Sequence, residues 1–144
     1  MARLFLDSNV LVKGFVVSSS PDRVVLKYCA ASLHQMVYAE AVKLEVEHFL
    51  LKYADGHDAN WLLEDYDKLI NLARPEQVPY PSESEVVSAR SLIRHAADVP
   101  VLVSAIRAGP DWLLTNNTEH FTPEVAARTG LRISNPRQFV RETF

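Results

Sequence analysis

At 144 residues the chain is expected to form one domain, residues 1–144, large enough to bury a single sizeable core. Its composition, 48% hydrophobic and 23% charged, is ordinary for a globular protein. A formal net charge of −3 argues against a sequence-reading DNA binder built on phosphate contacts, but not against an enzyme that holds cations with acids. The single cysteine, Cys29, rules out an intramolecular disulfide and reads as a small buried hydrophobe. No apolar stretch is long enough to span a bilayer, and Asp7 breaks the N-terminal apolar run where a signal peptide would continue it. A cytoplasmic location and no membrane contact are expected.

Residues 3–6, with Leu4, Phe5 and Leu6 in unbroken succession, suit a strand buried on both faces of a parallel sheet. Asp7, Ser8 and Asn9 follow as a loop, and "VLVKGF" leads back toward the core. Ser20-Pro21-Asp22 opens a helix: a serine cap, proline in the first turn and an acid at the positive helix end. Val24, Val25, Tyr28, Cys29 and Ala31 continue its apolar face. "HQMVYA", 34–39, is a second strand. Residues 40–54 form a helix with Val42, Val46, Phe49, Leu50 and Tyr53 inward, and 58–73 another, with Asp58 as its cap.

Pro75, Pro79 and Pro81 mark a connector. Ser82 and Glu85 make a capping box for a helix running to about His95. A short helix spans 100–108 and ends at Gly109-Pro110. "DWLLT", 111–115, is a third strand, Thr122-Pro123-Glu124 opens a helix that stops at Gly130, "LRIS" is a fourth strand, and Asn135-Pro136 caps the last helix. Strands alternating with helices predict an α/β fold, a mostly parallel sheet of four to five strands sandwiched in three layers, α/β/α. Ligands of such folds bind beyond the carboxyl ends of the strands. Asp7 and the Thr115-Asn116-Asn117 segment both stand there.

Four polar positions stand apart from the solvated helix acids. Asp7 follows a buried strand and must be paired, hydrogen-bonded or bound to a cation; its ordinary reading is a turn acid. Glu45 lies between Leu44 and Val46, and its ordinary reading is a solvated helix acid. Asp98 precedes the apolar "VPVLVSAI" and would serve as a helix cap. Asn117 follows "WLLT" and would be a loop asparagine. Each ordinary reading is sound alone, and the ordered set says more.

The stretches "LFLDSNVLVKGF", "AVKLEVEHFL" and "DVPVLVSAIRAGPDWLLTNNTEHF" together resemble the PIN-domain family across residues 3–121. The resemblance implies that Asp7, Glu45, Asp98 and Asn117 hold Mg²⁺ or Mn²⁺ and carry catalysis, with Ser8, Asn9 and Thr115 in support. Glu47 is the second choice for the helix acid, since "EVEHFL" aligns best from Glu45. His95 and Asn117 stand where many members carry further acids, so the site has lost formal negative charge. Oxygen donors of this kind suit Mg²⁺ or Mn²⁺ better than zinc.

The activity implied is metal-dependent endoribonuclease hydrolysis of RNA phosphodiester bonds, as in the VapC-type toxins, with RNA as substrate, a small antitoxin as partner and a homodimer as the assembly. Lys13 and Arg94, with Lys43 and Arg90 behind them, are the candidate phosphate contacts; His120, near Asn117, is read first as a packing or surface residue, with a phosphate contact as the alternative. The alternative is a non-catalytic PIN-like module that binds RNA or protein. A nucleotide-binding or receiver-type domain is disfavoured, because no Gly-rich phosphate loop follows the first strand.

Overall fold

The computed structural model describes residues 1–54 and 59–143. Five strands, β1 (Arg3–Leu6), β2 (Gln35–Ala39), β3 (Glu76–Val78), β4 (Trp112–Leu114) and β5 (Ile133–Ser134), form one sheet in the order β3-β2-β1-β4-β5. Every pairing is parallel: Leu4 lies beside Met36 on one flank and Trp112 on the other. The apolar run at the start of the chain is the reason β1 takes the centre. Leu4, Phe5 and Leu6 are between 0% and 1% exposed, which only a strand covered on both faces achieves.

The helices are α1 (Ser8–Val16), α2 (Pro21–Ala30), α3 (Glu40–Ala54), α4 (Ala59–Leu72), α5 (Glu83–Ala89), α6 (Val99–Ala108), α7 (Pro123–Thr129) and α8 (Pro136–Glu142). α1 packs on α2 and α3, α2 on α8, and α3 on α4 and α6. The chain runs from β1 outward through β2 to β3, then returns to the opposite flank for β4 and β5. The strand order therefore reverses between β1 and β4, the place where open α/β sheets form their crevice.

Several sequence expectations are corrected. The segment after Asp7 is not a loop but helix α1, and Asp7 is its N-cap, with its carboxylate accepting from Ser8 N–H. The 75–81 connector contains β3, the fifth strand. The helix begun by the Ser82–Glu85 capping box ends at Ala89, passes through a 3₁₀ turn at Arg90–Leu92 and becomes extended at Ile93, well short of His95. Phe49 and Tyr53 are 48% and 58% exposed rather than inward; the buried stripe of α3 is Val42, Val46 and Leu50, with Ala41 and Ala54. On α2 the buried residues are Asp22, Val25, Leu26 and Cys29, so Leu26 replaces Val24 and Ala31 on the inner face. α6 begins at Val99, after a 3₁₀ turn over Ala96–Asp98. The cap expected at Asp58 lies outside the described residues.

Candidate metal centre

Asp7 is delivered to the switch point by β1 and held there by β4. Its backbone N–H donates to the Leu114 carbonyl at 3.0 Å, so the sheet ladder continues one residue past the end of β1. Its side chain is only 4% exposed and is engaged on both oxygens. Oδ1 accepts from Ser8 N–H at 2.8 Å; Oδ2 accepts from the Thr115 hydroxyl at 2.7 Å and from the Asn9 amide at 3.1 Å. Thr115 is itself fully buried, and its hydroxyl accepts the Asn117 N–H at 3.0 Å. Ser8 and Asn9 thus occupy the first turn of α1, and their side chains work on the acids around them.

Ser8 links the first acid to the second. Its hydroxyl donates to Glu45 Oε1 at 2.8 Å, fixing a carboxylate that stands on the exposed rim of α3. Loss of water contact raises the Asp7 carboxyl above the usual carboxylate range; its three hydrogen bonds oppose the shift and the Asp98 charge adds to it. Glu45 is also raised, first by partial loss of water contact and then by the charges of Asp7 and Asp98, against the opposing Ser8 bond. The charge of Asp98 thus reaches both Asp7 and Glu45, and that of Asp7 reaches Glu45.

Asp98 occupies the N-cap position of α6, as its sequence context suggested, but its side chain makes no capping bond. Instead Oδ2 lies 2.6 Å from His120 Nδ1. The contact is not aligned as a hydrogen bond: both facing atoms are sealed from solvent and neither has a hydrogen-bond partner. The two atoms face each other in a skewed geometry, and Asp98 Oδ2 accepts no hydrogen bond. The His120 ring stacks on His95, centroids 3.7 Å apart and planes 19° apart. His120 thus touches a candidate site residue, more than its reading as a packing or surface histidine allowed.

The donor set is oxygen-rich and includes a buried carboxylate oxygen without a hydrogen bond, which suits a hard divalent cation. Among the described residues, no three His, Cys, Asp or Glu side chains close round one point tightly enough to hold a metal as they stand. Such a site would rely on retained waters, as Mg²⁺ sites commonly do. Asn117 is half-buried beside Thr115, tied there through its backbone. Lys13 is half exposed and lies 3.9 Å from Asp22. It lines a groove of about 620 Å³ with Ser8, Asn9 and Glu45. Arg94 lies apart from that groove, lining another of about 540 Å³ with Arg90, Arg128 and His120.

Two residues escaped the sequence reading. Asp22 looked like an acid placed for the helix dipole, but it is 1% exposed and accepts from the Asn116 amide at 2.7 Å. Asn116 also donates its backbone N–H to Asn9 Oδ1 at 2.9 Å. No local pattern distinguishes such an aspartate from any other in a first helical turn.

A search of curated protein sequences finds no match. Solved structures of similar fold include VapBC2 from Rickettsia felis bound to a DNA fragment from its promoter, at 17% identity and a TM-score of 0.62, covering 92% of this chain and 98% of that one. FitAcB from Neisseria gonorrhoeae matches at 15% identity and a TM-score of 0.68, covering 93% and 98%. PAE2754 from Pyrobaculum aerophilum matches at 16% identity and a TM-score of 0.63, covering 99% and 90%. The family model of the PIN domain matches residues 3–119, from the strand that carries Asp7 to the turn beyond Asn117. With most of its length matched by that model, the chain belongs to the PIN-domain family.

Proposed function

We propose that the protein is a metal-dependent endoribonuclease that hydrolyses RNA phosphodiester bonds. One observation carries the reading: Asp7 is buried at the switch point of the sheet, Ser8 ties it to Glu45, and its carboxyl is raised first by burial and then by the charge of Asp98, while Glu45 is raised by burial and by the charges of Asp7 and Asp98. Acids gathered in this way, with accepting capacity left on Asp98 Oδ2, favour a cation between them. Asp7, Glu45 and Asp98 would hold Mg²⁺ or Mn²⁺, with Asn117 contributing an amide oxygen. The ion supplies Lewis acidity, polarising the scissile phosphate and making a neighbouring water more acidic. The chain's own residues prepare that ground. Ser8, Asn9 and Thr115 fix the Asp7 carboxylate, Ser8 also sets Glu45, and Lys13 brings a positive charge to the groove the substrate would enter.

The test is cleavage of a mixed RNA substrate with Mn²⁺ or Mg²⁺ by the wild type and Asp7→Asn. Removing Asp7 should lower the rate at least about 100-fold while the far-UV circular dichroism spectrum stays native, because a group that orders the reacting assembly is worth several kcal/mol. Equal rates for the two proteins would remove the catalytic reading.

The Asp98–His120 approach favours a second reading, a PIN-like module that binds RNA or protein without cutting it. In it, His120 stays against Asp98 Oδ2 and occupies the position a cation would need. That reading expects no Asp7-dependent stabilisation by Mn²⁺, whereas the nuclease reading expects it.

The likeness in fold to VapBC2 and FitAcB, with membership of the family, supports a toxin role restrained by a small antitoxin and assembly as a homodimer. Phe49 and Tyr53, stacked on one face of α3 and 48% and 58% exposed, offer an apolar surface of the sort protein partners cover. Light scattering of the purified chain should give twice its mass, and an antitoxin encoded beside it should bind and silence cleavage. A monomer indifferent to such a protein would remove this part of the proposal.

A further inference from the structure

Asp7 is held by more than its immediate neighbours. Its Oδ2 accepts from Asn9 Nδ2; Asn9 Oδ1 accepts from the Asn116 backbone N–H; and Asn116 Nδ2 donates to Asp22 Oδ2. The three links measure 3.1, 2.9 and 2.7 Å, and they run from β1 through the start of α1 and the segment after β4 to the first turn of α2. The Asn9 amide is used at both ends, by Asp7 and by the Asn116 backbone, and the Asn116 side chain is anchored through Nδ2 on Asp22. The far end is as enclosed as the near one: Asp22 is 1% exposed, with Lys13 Nζ 3.9 Å from its other oxygen.

A close helix crossing puts Asp22 in place. A Cβ on Gly14 would lie 3.1 Å from both the carbonyl carbon and oxygen of Asp22 and 2.6 Å from Leu26 Cδ1, so only glycine lets α1 and α2 approach this closely. Arg23 then ties the start of α2 to the end of α1 by donating to the carbonyls of Gly14 and Phe15. A buried carboxylate needs such partners, and the first turn of α2 and the Asn116 amide supply them.

We propose that Asp22 is a positioning residue of the Asp7 site: through Asn116 and Asn9 it sets the orientation of the Asp7 carboxylate and hence the site's affinity for a divalent cation. This rests on the metal-site reading given above. Partners of metal ligands fix ligand orientation, and losing one typically weakens metal binding by 10–100-fold. Asp22 acts two bonds further out, so the effect should be smaller.

The experiment is Mn²⁺ titration of the whole chain, by calorimetry, for the wild type, Asp22→Ala, Asn116→Ala, the double variant and Asp22→Asn. Asp22→Ala and Asn116→Ala should each weaken binding by about threefold to tenfold, a fraction of the loss seen for direct partners. The double variant should be no weaker than the worse single one, since both break the same chain of bonds. Asp22→Asn, which keeps an oxygen to accept from Asn116, should restore most of the affinity; a role confined to stability would not give that rescue in Kd. Single variants that bind Mn²⁺ like the wild type, or losses that add in the double variant, would overturn the proposal. Should Asp22→Ala fail to fold, Asn116→Ala and Asp22→Asn still decide it. A wild type without Asp7-dependent Mn²⁺ binding would sink the metal-site reading and this one together; an intact wild-type response unmoved by Asn116→Ala sinks this one alone.

Discussion

Asp7 and Glu45 resist giving up their protons, and that resistance has a direction in pH. Each carboxyl has a higher pKa in the folded chain than in the unfolded one. Between the ordinary carboxylate value and the raised one the folded chain binds more protons, so the stability these groups lend is whole below that window and falls as pH rises through it. Glu45→Gln keeps an oxygen for the Ser8 hydroxyl and removes one of the charges facing Asp7. In EDTA its Tm should exceed that of the wild type at about pH 7, with the gap narrowing as pH falls through the raised values toward about pH 4, because protonation of the folded carboxyls removes their repulsion. Equal Tm values across the range would mean that the acids do not repel one another. Added Mn²⁺ should reverse the order, because the cation turns the charge of Glu45 from a cost into a bond.

At the scale of elements, the site depends on how closely α1 and α2 cross. Gly14→Ala forces a methyl against Leu26 and the Asp22 backbone. Leu26 can turn aside but the backbone cannot, so a loss of about 1–3 kcal/mol in urea unfolding is expected, the usual cost of overpacking. An unchanged or raised midpoint would show that the crossing has slack. The same region shows what the sequence could reveal. β1 was legible because an apolar run without alternation has few other homes, and Asp7 followed from its position at the end of that run. α1 was not. Val10, Val12 and Gly14 lower helix propensity, and Asp7-Ser8-Asn9 has the chemistry of a turn; the same aspartate is also a preferred N-cap, and that signal went unused. β3 escaped because Glu76 and Gln77 are polar and prolines bracket them, which an edge strand tolerates. Phe49 and Tyr53 read as inward because α3 is apolar around much of its circumference; they stack on each other in solvent instead, centroids 6.4 Å apart.

For the molecule as a whole, the parallel sheet gathers residues far apart in sequence onto one edge. Asp7 and Thr115 meet because β1 and β4 are neighbours and end at the same level, and Ser8 reaches Glu45 because α1 packs on α3. The candidate acids were legible from their order along the chain, whereas Asp22 and Asn116 were not, since only the tertiary crossing makes them partners. The central claim is that Asp7, Glu45 and Asp98 share a divalent cation. It is tested most directly by a crystal of the protein soaked in Mn²⁺, with anomalous scattering to locate the ion. The account expects an anomalous peak within bonding distance of oxygens from Asp7 and Asp98, with Glu45 and Asn117 at the ion directly or through water. A map with no peak there, and Asp98 still against His120, would contradict it.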